Sequence, residues 1–406
     1  MAEAAANPKA ALVPLRANRN FRMLWIGQVL SDLGSQIGTL AYPLLVLALT
    51  HSVVIAGAVG TVASAAAFAV RLPAGALADR LDRRRTMMAC DAVRAVALAA
   101  LAALVALGAL AWPIVMVVAV VDRAGDTLFT PASTAALPLI VDNEQLEAAW
   151  AATEGRQYAA NLAGPALGGF LFGLGRTVPF VADAVSYGIS FLTTSRIDGR
   201  FGPSGDAERR GLWGEAMDGV RMLWRDRLLR AVLMQAPLLN FAFTGAIFTV
   251  TLGLRRHGSS AVVVGGAQAV IMLGGLLGAF AAPAIQRRVT VMQSILLLSV
   301  PGSVLMGVAA IVMPSPAVAI PLAIPLLLSP ATNAVLFSAL LRQTPESMRG
   351  RVNNALLQVA IGLATLAPLV SGLVIEHLSA RWAMGVFALV LAAVTPIALR
   401  FPALRR

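Results

Sequence analysis

Seven ionisable side chains, Asp32, Asp122, Arg123, Asp126, Glu154, Arg156 and Asp183, stand inside stretches that are otherwise apolar. A charge at the centre of a lipid-embedded helix costs roughly 2.5 to 3.5 kcal/mol on insertion scales, so such groups usually mark a pathway or a relay. Carboxyl and guanidinium groups together can move protons. An acid that trades an arginine neighbour for apolar surroundings between two conformations takes up a proton, and releases it on return. Asp32, Asp122, Arg123 and Asp126 are the candidates for that exchange, and the alternative is a static buried ion pair that orients helices. All seven groups fall in the first half of the chain. Glu346 and Glu376, in the second half, fall in a loop and at the end of an apolar stretch.

A second set is mostly polar without charge. Gln28, Asp32, Gln36 and Thr39 recur at helical spacing in the first apolar stretch, as do Asn240 with Thr244 and Asn333 with Phe337 in later ones, joined by Gln358. They are candidates to line a cavity whose mixture of amides with Phe and Met suits an amphipathic organic molecule better than an inorganic ion. Other chemistries lack their residues. Cys90 is the only cysteine and His51, His257 and His377 are scattered, so no disulfide and no metal site is expected. Lys9, the only lysine, lies in the N-terminal tail, which leaves no Walker A loop and no use of ATP. Neither catalytic residues nor a cofactor is expected, and the chain does not read as an enzyme.

The elements that must hold these residues are membrane spans. Hydrophobic residues make up 58% of the 406 and charged ones 13%, with a mean hydropathy of +0.78. Soluble domains carry about 25% charged residues, so this composition excludes a water-soluble fold. A crossing helix needs about 20 apolar residues. On that measure spans fall near 22–49, 54–74, 87–110, 113–137, 149–173 and 177–195, then near 229–254, 262–284, 290–312, 317–340, 352–375 and 381–400. The organisation is therefore a tail over 1–21, a first six-helix bundle over 22–195, a linker over 196–228, a second bundle over 229–400 and a tail over 401–406. The first span is too long for a signal peptide and lacks a small-residue cleavage site, so it reads as retained. Within the linker, Trp213, Met217, Val220 and Trp224 form a helical stripe suited to the headgroup region, or equally to packing on the inner face of the bundles.

The net charge of +12 does not indicate nucleic acid, because the basic residues cluster between apolar runs. They gather in the tail, at Arg80 to Arg85, in the linker, at Arg287 and Arg288, in the 342–351 loop and at the C-terminus. The opposite side holds Arg176, Arg255, Arg256 and Arg381, while Arg71, Arg94, Arg123 and Arg156 lie within or at the edges of spans. The positive-inside rule then puts both termini in the cytoplasm, in a multi-pass protein of the plasma (bacterial inner) membrane.

The two halves resemble each other weakly. "GALADRLDRRRTMM" after the second span has a worn counterpart, "GAFAAPAIQRRVTVM", after the eighth, and "AGPALGG" in the fifth has "LAPLVSG" in the eleventh. Such repetition is the mark of transporters whose two bundles rock about a central site. On these residues the chain resembles the major facilitator superfamily, and more closely its drug and siderophore exporters of the enterobactin-exporter kind. The run from Gly75 to Arg85 is similar to the signature loop between the second and third helices. The resemblance implies a cytoplasmic latch made of Asp79 with Arg80, Arg83 and Arg84, with Gly75 allowing close helix approach. Asp82 stands where the family usually has glycine, and Asp tolerates a left-handed turn better than most residues. Gly164, Pro165, Gly168 and Gly169 resemble the core of the antiporter motif, although Ala151 and Ala160 replace its flanking glycines. Arg123 resembles the fourth-helix arginine of the antiporters, in an R-A-G-D context that matches only in part, and the family fold would bring Asp32 toward it.

The resemblance implies a monomeric secondary transporter of all-α fold that exports a small amphipathic molecule in exchange for protons. One proton driven inward is worth roughly 2.3 kcal/mol per 100 mV, enough for about a 50-fold gradient of a neutral substrate. The alternatives are a facilitator, importer or lipid flippase of the same fold and, from another class, a polytopic membrane enzyme or sensor. The substrate itself is not legible.

Overall fold

Among the described residues, seven of the fourteen helices begin where a short polar side chain satisfies the first free backbone N–H groups. Asn18 accepts from the Phe21 amide at 3.0 Å, Asp226 from those of Leu228 and Leu229, and Thr290 forms a reciprocal capping box with Gln293. The structure, a computed structural model, describes residues 14–199, 201–202, 212–401 and 404. The first half consists of α1 (Arg19–Thr50), α2 (Val53–Arg80), α3 (Arg83–Ala106), α4 (Trp112–Ile140), α5 (Leu146–Leu174) and α6 (Val178–Ser195). After α7 (Leu212–Arg225) come α8 (Arg227–Arg256), α9 (Ala261–Gln286), α10 (Val291–Val312), α11 (Ala319–Gln343), α12 (Arg349–Gly362), α13 (Ala367–His377) and α14 (Ala380–Leu399).

At 1.5 Å rise per residue the 32 residues of α1 reach about 48 Å, beyond the ~30 Å hydrocarbon core. Among the described residues nine segments are long and apolar enough to cross a membrane. The remaining three full-length helices, α4, α5 and α6, carry Asp122, Arg123, Asp126, Glu154, Arg156 and Asp183, so the helices that dilute their apolarity are those that hold most of the ionisable candidates. Twelve crossings in two six-helix groups result, α12 and α13 together making one.

That broken crossing corrects the continuous span expected over 352–375. A 3-10 turn over Leu363–Leu366 separates the two pieces, just before Pro368, which cannot donate a backbone hydrogen bond. One amide freed by the break, that of Leu369, donates to Thr61 Oγ1 of α2 at 3.0 Å, so the interruption is satisfied across the boundary between the halves. In α7 the stripe reads differently from the expectation. Leu223 is fully buried and Val220 half-buried, whereas Met217 and Trp224 are exposed, and the helix packs on α12 and α8. The Trp213 side chain lies outside the described residues.

The halves meet along two seams, α2 against α13 and α5 against α9. Both are backbone-to-backbone approaches that only glycine permits. A Cβ on Gly57 would run into the Pro368 carbonyl, and one on Gly372 would stand 2.5 Å from the Val53 carbonyl oxygen. A Cβ on Gly169 would meet Ala261, and one on Gly265 would meet Pro165. All these contacts lie toward the end where α1 joins α2, α5 joins α6, α8 joins α9 and α13 joins α14. Toward the other end, where α6 ends and α8 begins, a cavity lies between α5 and the second half.

Candidate functional site

Among the described residues the best-buried basic side chain is Arg94, on α3, only 1% exposed. Its Nε donates to Asp122 Oδ1 of α4 at 2.8 Å, Nη2 donates to Ser35 Oγ of α1 at 2.9 Å and to Tyr187 Oη of α6, and Nη1 lies 3.6 Å from Asp126. The guanidinium carbon also sits 3.9 Å from the centre of the Tyr187 ring, a cation–π contact. Two phenols complete the carboxylate's shell. Tyr187 donates to Asp122 Oδ1 at 3.1 Å and Tyr42 to Oδ2 at 3.2 Å. Four helices are thereby tied to one ion pair, and breaking it would strand a charge in a medium that cannot solvate it.

Gly125 makes room for this arrangement, because a Cβ there would come within 2.8 Å of the Arg94 stem. The R-A-G-D run thus has a local reason: its glycine is the notch through which Arg94 reaches the acids either side of it. Two further carboxyls adjoin the hub. Asp91, fully buried one turn before Arg94, accepts from Ser190 Oγ at 2.6 Å. Asp183 accepts from Ser186 Oγ at 3.2 Å and lies tight against Gly34 of α1. Neither makes an ion pair among the described residues.

Asp32 does not meet Arg123. Its partner is Arg156 of α5, at 3.3 Å, in a narrow cleft of about 40 Å³ between α1, α4 and α5 that Gln28 and Asp126 also line. The reason is helical phase. Arg123 follows Asp122 by one residue and so points about 100° away from it around α4, while Asp126, four residues on, shares its face. Arg123 therefore lines a different cavity, of about 240 Å³, between the halves, with Thr39, Tyr42, Thr244 and Gln268.

A larger cavity, of about 770 Å³, opens between α5 and the second half. Asn240, Asn333 and Phe337 line it, joined by Glu154, Asn161 and Asn353. Gln36 and Gln358, expected as lining residues, are helix contacts instead. Gln36 lies where α1 presses on Gly164, and Gln358 Nε2 donates to the Phe68 carbonyl across the halves at 2.9 Å.

Gly168 packs on the Ile37 backbone of α1, so the glycine pair Gly168 and Gly169 faces two partners, α1 on one side and α9 on the other. Pro165 presents its carbonyl to Gly265. The loop after α2 is less as expected. Gly75 faces open space and makes no close helix approach. The Asp79 side chain lies outside the described residues. Arg80 is exposed and Arg83 buried, while Arg84 donates to the carbonyls of Thr194, at 3.2 Å, and Ser195, satisfying the C-terminus of α6. Asp82 is not in a left-handed turn: at φ −63°, ψ 114° it caps α3, accepting from the Arg85 amide at 2.8 Å.

Sequence reasoning passes over Arg94, Asp91, Tyr42 and Tyr187. The D-x-x-R pair inside the third span was the available signal, since two charges on one helical face within an apolar run need partners. The tyrosines carried none, for a phenol in an apolar span also reads as core.

Residues 24–356 match the family model described as Major Facilitator Superfamily. The multidrug efflux pump Tap of Mycobacterium tuberculosis is 25% identical over 399 residues, covering 94% of this chain and 93% of that protein. Macrolide efflux protein A of Streptococcus pyogenes is 25% identical over 228 residues, covering 55% of this chain and 56% of that one. Among solved structures, a bacterial homologue of the human lysosomal transporter Spinster, inward-facing and occupied, has a TM-score of 0.72 at 14% identity, covering 95% of this chain and 97% of the other. At that identity the likeness is one of fold.

Proposed function

This chain belongs to the Major Facilitator Superfamily, and from that premise we propose that it exports a small amphipathic organic molecule by alternating access, in exchange for protons. The observation that carries the reading is the 770 Å³ cavity, lined from both halves, whose glycine seams lie toward its far end. A cavity closed on one side by glycine seams and open on the other is one of the two states that alternating access requires. With both termini in the cytoplasm, as the basic residues argue, the open side is the cytoplasmic one and the state is ready to load. The efflux pumps similar to this chain support the outward direction.

The polar interior of the first half supports proton exchange. Arg94 and Arg156 face Asp32, Asp91, Asp122, Asp126 and Asp183, so carboxyls outnumber the guanidinium groups that could neutralise them and protonatable sites remain. Asp126 stands in both the hub and the cleft, which links Asp122 to Asp32 through a short chain of polar groups. The substrate cavity and the acid cluster flank opposite sides of α5, giving one helix through which substrate and proton sense each other. Because one chain encloses the cavity, the unit of function is the monomer.

Inverted membrane vesicles test this reading. An inward-acid pH gradient should drive accumulation of amphipathic compounds, macrolides included, and a protonophore should abolish it. Accumulation indifferent to the protonophore refutes exchange, and movement only down the substrate's own gradient makes the protein a facilitator.

A further inference from the structure

On the export reading above, we infer that the substrates are organic cations and that Glu154 of α5 is the residue that selects them. Glu154 is exposed to the large cavity and is its only charged residue among the described lining residues. It makes no hydrogen bond or ion pair among the described residues. Every guanidinium that could neutralise it within the first half is engaged or turned elsewhere. Arg156, two residues on, faces the opposite side of α5 and holds Asp32; Arg94 is sealed in its hub; Arg123 lines the other cavity.

The surroundings define the ligand's shape. Tyr158 and Asn161 follow Glu154 by four and seven residues on the same helical face, placing a half-exposed aromatic ring and an amide above the carboxylate. Asn333 faces them from the second half, and Met272 and Phe337 supply apolar wall. A lone carboxylate in a concave, weakly polar wall concentrates a negative potential over the whole cavity, and an aromatic face beside it adds to the attraction of a cation. A single carboxylate is a poor seat for Ca²⁺ or Mg²⁺, which take six or more oxygen ligands, and the volume suits a drug-sized molecule. The geometry therefore fits a cationic head beside Glu154 and Tyr158 with an apolar body against the second half.

Purified full-length protein in lipid nanodiscs, titrated with tetraphenylphosphonium and with neutral triphenylphosphine oxide, tests the inference. Glu154→Gln should weaken the cation about tenfold or more by removing its Coulombic attraction to the carboxylate, while leaving the neutral compound bound at least as well. Glu154→Lys should invert the preference, admitting tetraphenylborate. Equal tetraphenylphosphonium affinity in wild type and Glu154→Gln overturns the inference, as does parallel weakening of both probes. Proton-driven transport is scored separately in proteoliposomes. Charge-dependent binding without such transport defeats the exchange reading and leaves the selector standing, and the converse result defeats the selector alone.

Discussion

Arg94 of α3 and Asp122 of α4 meet at 2.8 Å with their side chains 1% and 5% exposed, and Tyr42, Tyr187 and Ser35 close the space around them. The polar contacts of this pair bind α1, α3, α4 and α6 together, so the pair acts on architecture before it acts on transport. Arg94→Met should leave Asp122 charged and unpaired and cost about 3 to 5 kcal/mol. Thermal unfolding of the detergent-solubilised protein should show a clear fall in Tm; an unchanged Tm would mean that the pair is dispensable to the fold.

Asp32→Asn removes a carboxylate that faces Arg156 from the edge of a cleft and is itself partly exposed. Protein should still reach the membrane and bind substrate, but accumulation driven by a pH gradient should vanish. Wild-type accumulation in this variant removes Asp32 from the coupling.

Gly265→Val puts a branched side chain where the Pro165 carbonyl and the Gly169 backbone now lie. Overpacking costs about 1 to 3 kcal/mol, which shifts a two-state equilibrium roughly 5-fold to 150-fold away from the closed seam. In a Cys90→Ala background, a cysteine at Thr244 should be labelled about tenfold faster by an impermeant maleimide from the outside. Equal labelling rates would show that the seam does not gate that face.

Arg84→Ala deprives the last carbonyls of α6 of their donor. A lost charge-assisted hydrogen bond is worth about 1.5 to 3 kcal/mol, and hydrogen exchange should quicken around Thr194 and Ser195. Exchange confined to its present rate would locate the function of Arg84 elsewhere.

For the latch, Asp79→Asn should lower turnover more than substrate affinity, because a group that acts on the closing step leaves the open, loading state untouched. Equal losses in both, read from concentration-dependent efflux, would contradict a gating role.

Local chemistry explains what was legible beforehand. A run of apolar residues must be a spanning helix because its backbone has no other hydrogen-bond partners in lipid, so the crossings and the connection between halves follow from neighbours in the chain. The glycine run in α5 likewise marked a close approach, though not to which helix. Asp32, Asp122 and Asp126 stood out because an acid in lipid has few innocent explanations.

Which charge meets which was beyond that reach. The choice of Arg156 over Arg123 for Asp32 depends on the rotation of three helices about their own axes, and a single residue's step turns a side chain by about 100°. Arg94 became the hub because α1, α3, α4 and α6 pack closely enough to surround it, a fact of distance between segments up to 152 residues apart, as Ser35 and Tyr187 are. Sequence alone determined that charges lie in the membrane, since hydropathy is a property of each segment by itself. Only the tertiary structure decided their partners and left Glu154 facing the cavity, since those depend on how helices turn and pack against one another.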